Sequence, residues 1–219
     1  PADVINLSLG GPGPCTSAEQ QAIDAATKAG SIVVVAAGND NLDLDVSSYS
    51  PASCTSVITV AAVETNGSRL FLNNSTASNY GSKVEIAAPG RNVISTMNTG
   101  TTTSTSSWNY LGKTGTSMAT PTVAGVVSLM LSHDNTLNLI QIIKLLQETA
   151  SPFPAGSTCS SNIAATNYCG PGIVNAGAAM QSLVSVVPLD TLETFRPQRV
   201  LDTRDGTGGV PIARVGNTN

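Results

Sequence analysis

The sequence predicts an α/β protein with a mainly parallel sheet, and three observations support this. Residues 3 to 9 and 31 to 37 are almost continuously apolar, as strands covered on both faces must be. The segment between them reads as a helix. A strand, helix, strand unit closes by a right-handed crossover, which makes the two strands parallel neighbours.

Each element follows in order. Asp3 to Leu9 is the first strand. Ser17, with Gln20 three residues later, reads as the capping box of the helix, and Ala18, Ala22, Ala25, Ala26 and Ala29 form one apolar stripe before the stop at Gly30. Ser31 to Ala37 is the second strand, and Val57 to Val63 and Val84 to Ala88 read as further strands. Val123 to Ser132 continues a buried helix. Asn138 and Gln141 then cap an amphipathic helix whose Leu139, Ile140, Ile142, Ile143, Leu145 and Leu146 make a broad packing face, read as core rather than a partner site. Ligands of open α/β sheets bind beyond the carboxyl ends of the strands, so Gly10, Gly11 and Asn39 are expected on one rim.

Composition narrows the function classes. The chain of 219 residues is 41% hydrophobic but only 11% charged, against about 25% charged in an average domain. Few charges with many Ser, Thr, Asn and Gly fit a secreted protein. A net charge of −4 without a basic cluster argues against a nucleic-acid partner. No apolar run is long enough to span a bilayer, and membrane binding is not expected. Four cysteines in such a chain suggest two disulfides, with three connectivities open. Cys159 and Cys169 bracket a short loop, and Cys15 and Cys54 fall near the ends of adjacent parallel strands, which favours pairing each couple. Zinc binding is disfavoured, because no Cys-x-x-Cys occurs and His133 is the single histidine.

The most informative stretch is Gly115-Thr116-Ser117-Met118-Ala119-Thr120-Pro121, where a turn of small residues meets an apolar helix and leaves a hydroxyl at the junction. Unpaired amides and the positive end of the macrodipole would stabilise an oxyanion formed there. Pro121 is expected to mark the first turn. An ordinary capped helix is the alternative on spacing alone.

The run Gly115 to Met130 resembles the nucleophile helix of the subtilisin-like serine proteases, and three further blocks agree in order. Val4-Ile5-Asn6-Leu7-Ser8-Leu9-Gly10-Gly11 resembles the family's substrate-pairing strand. Val33-Val34-Val35-Ala36-Ala37-Gly38-Asn39 resembles the strand ending in its oxyanion asparagine. Ser78-Asn79-Tyr80-Gly81 with Ile86-Ala87-Ala88-Pro89-Gly90 resembles the stretch leading to the serine. The resemblance covers residues 1 to 182 and is nearest to secreted bacterial members. It implies a three-layer subtilisin-like fold, incomplete at its N-terminal side.

What the resemblance implies for the site is specific. Ser117 would be the nucleophile, with Asn39 and the Ser117 backbone amide as oxyanion donors. Ser8, Leu9 and Gly10 would pair with an extended polypeptide substrate. The primary pocket would lie between Leu9 to Gly11 and Ala36, Ala37 and Gly38, with room for a large apolar or aromatic side chain, and Tyr49 as a lining candidate. No cofactor is required for the chemistry. A structural calcium ion is possible near the carbonyls of Thr55 and Val57 and the carboxylate of Glu85, with a solvated strand carboxylate as the favoured alternative for Glu85. The expected partners are polypeptide substrates, and the complete protein is expected to be monomeric.

The chain also departs from the family. Thr122 stands where a histidine, not the catalytic one, usually follows the proline. More seriously, family members order their triad Asp, His, Ser, and this chain opens after the first two. His133 lies sixteen residues past Ser117, roughly 24 Å along a helix, too far to serve as base and better placed as a C-terminal helix residue. Lys113, four residues before Ser117, has no mark of a buried, neutral amine. The isolated chain is therefore expected to be inactive. A non-catalytic domain that retains the fold for binding or surface adhesion is the alternative. Residues 183–194 read as a linker and 195–219 as the start of an appended β-rich module.

Overall fold

The computed structural model describes residues 2–98, 100–103, 108–162 and 167–184. Twelve elements are present among them: β1 (Val4–Leu7), β2 (Gly11–Pro12), α1 (Ser17–Lys28), β3 (Ile32–Ala36), β4 (Tyr49–Ser50), β5 (Ile58–Val63), β6 (Ile86–Pro89), β7 (Val93–Asn98), β8 (Trp108–Lys113), α2 (Thr116–His133), α3 (Leu139–Glu148) and α4 (Ala176–Val184).

The main sheet has the order β1-β3-β5-β6, with every pair parallel. Alternating side chains of β3 feed two separate cores, as the period of two in a strand requires. Ile32 and Val34 join Ile58, Val60, Ile86, Val123, Val127, Met130, Ile142 and Leu146 on the face covered by α2, α3 and α4. Val33 and Val35 join Ile23, Leu44, Tyr49, Val63 and Val84 on the α1 face. Helix, sheet and helix give the three layers expected. β1, the edge strand among the described residues, is only half-buried, so it does not meet the expectation of a strand covered on both faces.

Several local expectations are corrected. The capping box of α1 is Thr16 with Glu19, one residue before the Ser17 and Gln20 frame. Gln20 instead reaches across to the next layer, accepting from the Thr55 amide at 2.9 Å. The alanine stripe does not set the buried face either: Ile23 is buried and Ala26 half-buried, while Ala18, Ala22, Ala25 and Ala29 are exposed. A methyl group offers little area to bury, so the one large aliphatic side chain decides the orientation. In α3 the Asn138 and Gln141 capping box forms as expected, but Ile140 points outward at 79% exposure. Pro121 lies in the second turn of α2, which begins at Thr116, and it lacks the amide that would otherwise bond the Ser117 carbonyl four residues back.

Both expected disulfides form, Cys15–Cys54 and Cys159–Cys169, with Cα separations of 5.1 and 5.6 Å. Helix α4 continues through Val184, so residues 183 and 184 are helix rather than linker. The rest of the proposed linker and the C-terminal module lie outside the described residues.

Candidate active site

Ser117 sits in the first turn of α2, entered through Gly115 at φ 145°. That backbone conformation suits glycine, and it turns the chain sharply enough to aim the Ser117 hydroxyl back at the sheet. The hydroxyl donates to the carbonyl of Ser8, just past the end of β1, at 3.2 Å. The Ser117 amide, as a first-turn group, has no intrahelical acceptor.

Asn39 follows β3 and reaches the same helix start. Its side-chain oxygen accepts from the Thr116 amide at 3.0 Å and from the Thr116 hydroxyl at 3.2 Å. Two donors on Oδ1 fix the amide's orientation and leave the Nδ2 hydrogens as donors directed away from Thr116. The structure thus brings Ser117 and Asn39 to one rim, from two elements far apart in sequence.

Asn79, which the sequence reading placed only within a motif, holds the Asn39 loop. It is fully buried. Its Nδ2 donates to the Ala37 carbonyl at 2.7 Å, and its Oδ1 accepts from the amides of Asp40 at 3.0 Å and Leu42 at 2.9 Å. Its own amide donates to the Gly38 carbonyl at 2.9 Å. Arg69, buried between the rings of Phe71 and Tyr80, donates to the adjacent Ser78 carbonyl at 2.7 Å. The only cue in the sequence was an asparagine just ahead of a buried strand.

The expected substrate residues divide into three sets. Leu9 is 61% exposed, and Ser8 and Gly10 lie beside it on the rim. Gly11 is taken up in β2, where it pairs with Ser50. Ala36, Ala37 and Gly38 are buried beneath the rim. The room expected between Gly10 and Gly38 holds the chain's own Tyr49 ring. A Cβ on Gly10 would stand 2.8 Å from Tyr49 Cε1, and one on Gly38 would stand 2.5 Å from Cε1 and Cζ.

Among the described residues neither His133 nor Lys113 is placed to act as the base of Ser117. His133 ends α2, at the opposite terminus from Ser117, and is exposed. Lys113 ends β8 and is exposed as well. Thr122 is exposed on α2 and donates to the Met118 carbonyl.

Thr55, Val57 and Glu85 line one cleft, together with Lys83. Glu85 is not a solvated strand residue, and this corrects the favoured reading. Its carboxylate accepts from the Thr59 amide at 2.6 Å, and burial pushes its pKa up to about 7. The Thr55 carbonyl already accepts from Gln20 Nε2 at 3.2 Å. Among the described residues no group of three or more His, Cys, Asp or Glu side chains could hold a metal.

Fold and rim together define an α/β protein with a serine hydroxyl and an asparagine amide gathered at the carboxyl ends of a parallel sheet. Comparison with known proteins makes this narrower. Residues 1–184 match the subtilase family model, Peptidase S8, and the chain belongs to that family. It is 44% identical over 186 residues to an extracellular protease of Xanthomonas campestris, covering 84% of this chain and 29% of the relative. It is 35% identical to an extracellular basic protease of Dichelobacter nodosus, covering 100% of this chain and 37% of the relative. Among solved structures, proteases of Pseudoalteromonas arctica match with a TM-score of 0.71 at 42% identity, covering 84% of this chain and 52% of theirs. The chain thus spans about a third of the length of those two relatives. No helix among the described residues is long and apolar enough to cross a membrane.

Proposed function

We propose that this chain carries the nucleophile and the oxyanion site of a secreted serine endopeptidase, with Ser117 attacking the peptide carbonyl. The observation that carries this reading is the pair of bonds from Thr116 to Asn39 Oδ1. By occupying Oδ1 they would leave Nδ2 as a preorganised donor at the start of the Ser117 helix. In the tetrahedral intermediate the former carbonyl oxygen becomes an anion, and Nδ2 with the Ser117 amide would receive it. Ser8, Leu9 and Gly10 would align an extended polypeptide through main-chain bonds.

The general base would come from an Asp and His segment upstream in the full gene product, in keeping with the family's chain order. The extracellular relatives support secretion. Glu85 with the Thr55 and Val57 carbonyls would form a calcium site, since a buried carboxylate is stabilised in its charged form by a hard cation. The complete enzyme would act as a monomer.

The test is covalent labelling by a fluorophosphonate. The 219-residue chain is expected to remain unlabelled, whereas the full-length product is expected to react at Ser117, with the modified peptide identified by mass spectrometry. Labelling of the short chain at the full-length rate would remove the requirement for an upstream base. Full-length protein that carries both triad partners yet stays inert would point instead to a binding domain.

A further inference from the structure

Resting on the reading of Asn39 as the oxyanion donor, we infer that Arg69 is a positioning residue for that donor. It acts through the peptide group between Ser78 and Asn79, which it holds from the side opposite the Asn39 loop.

Arginine is a costly residue to bury at this position. Arg69 is 5% exposed, and among the described residues no carboxylate pairs with it, the ion pairs there being Arg91 with Glu64 and Lys144 with Glu148. Its Nε finds no hydrogen-bond partner among them either. Burial lowers its pKa from the ordinary arginine value. A cation kept dry without a counterion works against stability, and an apolar side chain of similar volume would ordinarily pack there at lower cost. What the guanidinium offers instead is a grip on both flanks of Asn79. Its Nη1 donates to the Ser78 carbonyl at 2.7 Å. Its central carbon lies 4.6 Å from the centroid of the Tyr80 ring and 4.7 Å from that of Phe71, contacts that favour a cation.

The geometry of the peptide bond carries this grip to the site. The Ser78 carbonyl and the Asn79 amide belong to one planar trans unit, so they point in opposite directions and turn together. The Asn79 amide donates to the Gly38 carbonyl at 2.9 Å, and Gly38 immediately precedes Asn39. A charged donor at the carbonyl end polarises the unit and strengthens the bond that its amide end donates. The Ser78 side chain clamps the same segment, accepting from the Ala62 amide and donating to the Asn79 carbonyl, each at 3.0 Å. The Asn79 side chain in turn binds Ala37, Asp40 and Leu42, on both sides of Asn39. A rotation of this one peptide would shift the Asn79 amide and side chain together, and with them the loop that aims Asn39 Nδ2.

A double-mutant cycle in the full-length enzyme tests this on a peptide p-nitroanilide, with rates referred to the fraction of enzyme that a fluorophosphonate titrates. Arg69→Met keeps a stem between the rings but removes donor and charge, and it is expected to lower kcat about tenfold at nearly constant KM, part of the loss that removing Asn39 itself would bring. Arg69→Lys restores a charged donor and is expected to return kcat to within about threefold of the wild type. In the Asn39→Leu background, Arg69→Met is expected to change kcat by less than about twofold, because the group it positions is gone. Support of the fold alone would lower stability in both backgrounds and leave kcat per titrated site untouched. Should Arg69→Met fail to fold, Arg69→Gln takes its place in the cycle, with about a threefold loss expected in the wild-type background and none in Asn39→Leu. The inference is overturned if the variant that folds keeps the wild-type kcat per titrated site, if Arg69→Lys is as slow as Arg69→Met, or if the same loss recurs in the Asn39→Leu background. A wild-type kcat in Asn39→Leu would instead overturn the oxyanion reading beneath it, and absence of both titration and turnover in the wild type would overturn the hydrolase reading itself.

Discussion

The two walls of the Ser117 rim are built very differently. On the Asn39 side, Asn79 makes four hydrogen bonds to the loop, Thr116 makes two more to Asn39, and the glycine and alanines beneath are buried. On the Ser8 side the strand is half-buried, Leu9 is exposed, and the Ser117 hydroxyl is received by a backbone carbonyl rather than a base. In the proposed reading the oxyanion donors both come from this chain, whereas the described residues place no base beside Ser117. Electrostatic preorganisation demands rigidity, and rigidity here lies on the side where charge would develop.

Breaking the rigid wall should have the largest effect. Asn39→Leu in the full-length enzyme is expected to lower kcat by about 10² to 10³ with little change in KM, a magnitude taken over from subtilisin, a member of this family, rather than derived. Steady-state kinetics would show it, and an unchanged kcat would mean that Asn39 does not contact the oxyanion. Removing the Cys15–Cys54 bridge, whose separation is 39 residues, should cost about 4 kcal/mol in the chain-entropy account. Denaturant unfolding of the double serine variant measures this.

Asn79→Ala strips the loop behind Asn39. It leaves the part-buried amides of Asp40 and Leu42 and the buried Ala37 carbonyl without their partner, at about 2–3 kcal/mol, and loosens the proposed oxyanion donor. The expected signature is a lower kcat per titrated site at nearly constant KM. A variant that is less stable but fully active per site would show that Asn79 supports the fold alone.

The smallest effect concerns Glu85, in the cleft it lines with Thr55 and Val57. Its pKa of about 7 in the folded protein lies above the ordinary carboxylate value, so the folded state holds a proton that the unfolded chain has released. Stability from this group is full at low pH, falls as pH rises from the carboxylate range toward 7, and levels off above it. With chelator present, melting temperatures should show this decline for the wild type and lack it for Glu85→Gln. Added calcium should offset the decline only where the carboxylate remains.

Much of this was legible in the sequence because it is local. The parallel strands announced themselves as apolar runs, and Asn138 with Gln141 gave the start of α3. The start of α1 was ambiguous, since Thr16 with Glu19 and Ser17 with Gln20 fit the same rule. A tertiary bond from the Thr55 amide to Gln20 settled it. Five alanines could not outweigh one isoleucine in choosing the buried face. Ser117, Asn39 and Tyr49 were singled out through short motifs and resemblance, but the part played by Asn79 escaped, because it depends on contacts with a segment distant along the chain. Glycines on both sides of a slot predict space only when nothing else in the molecule fills it.

The bond from the Asp40 amide to Asn79 Oδ1 has a consequence for ageing. Asparagine side chains lose ammonia when the next residue's backbone nitrogen attacks the side-chain carbonyl and closes a five-membered imide. Here that nitrogen is committed to Asn79 at 3.0 Å, while the Asn39 carbonyl oxygen is clasped by Thr116. Hydrolysis of the imide would put a carboxylate where the proposed function places a donor, so this clasp protects the side-chain amide of Asn39. Stored Asn79→Ala protein should gain the mass of deamidation at Asn39 sooner than the wild type.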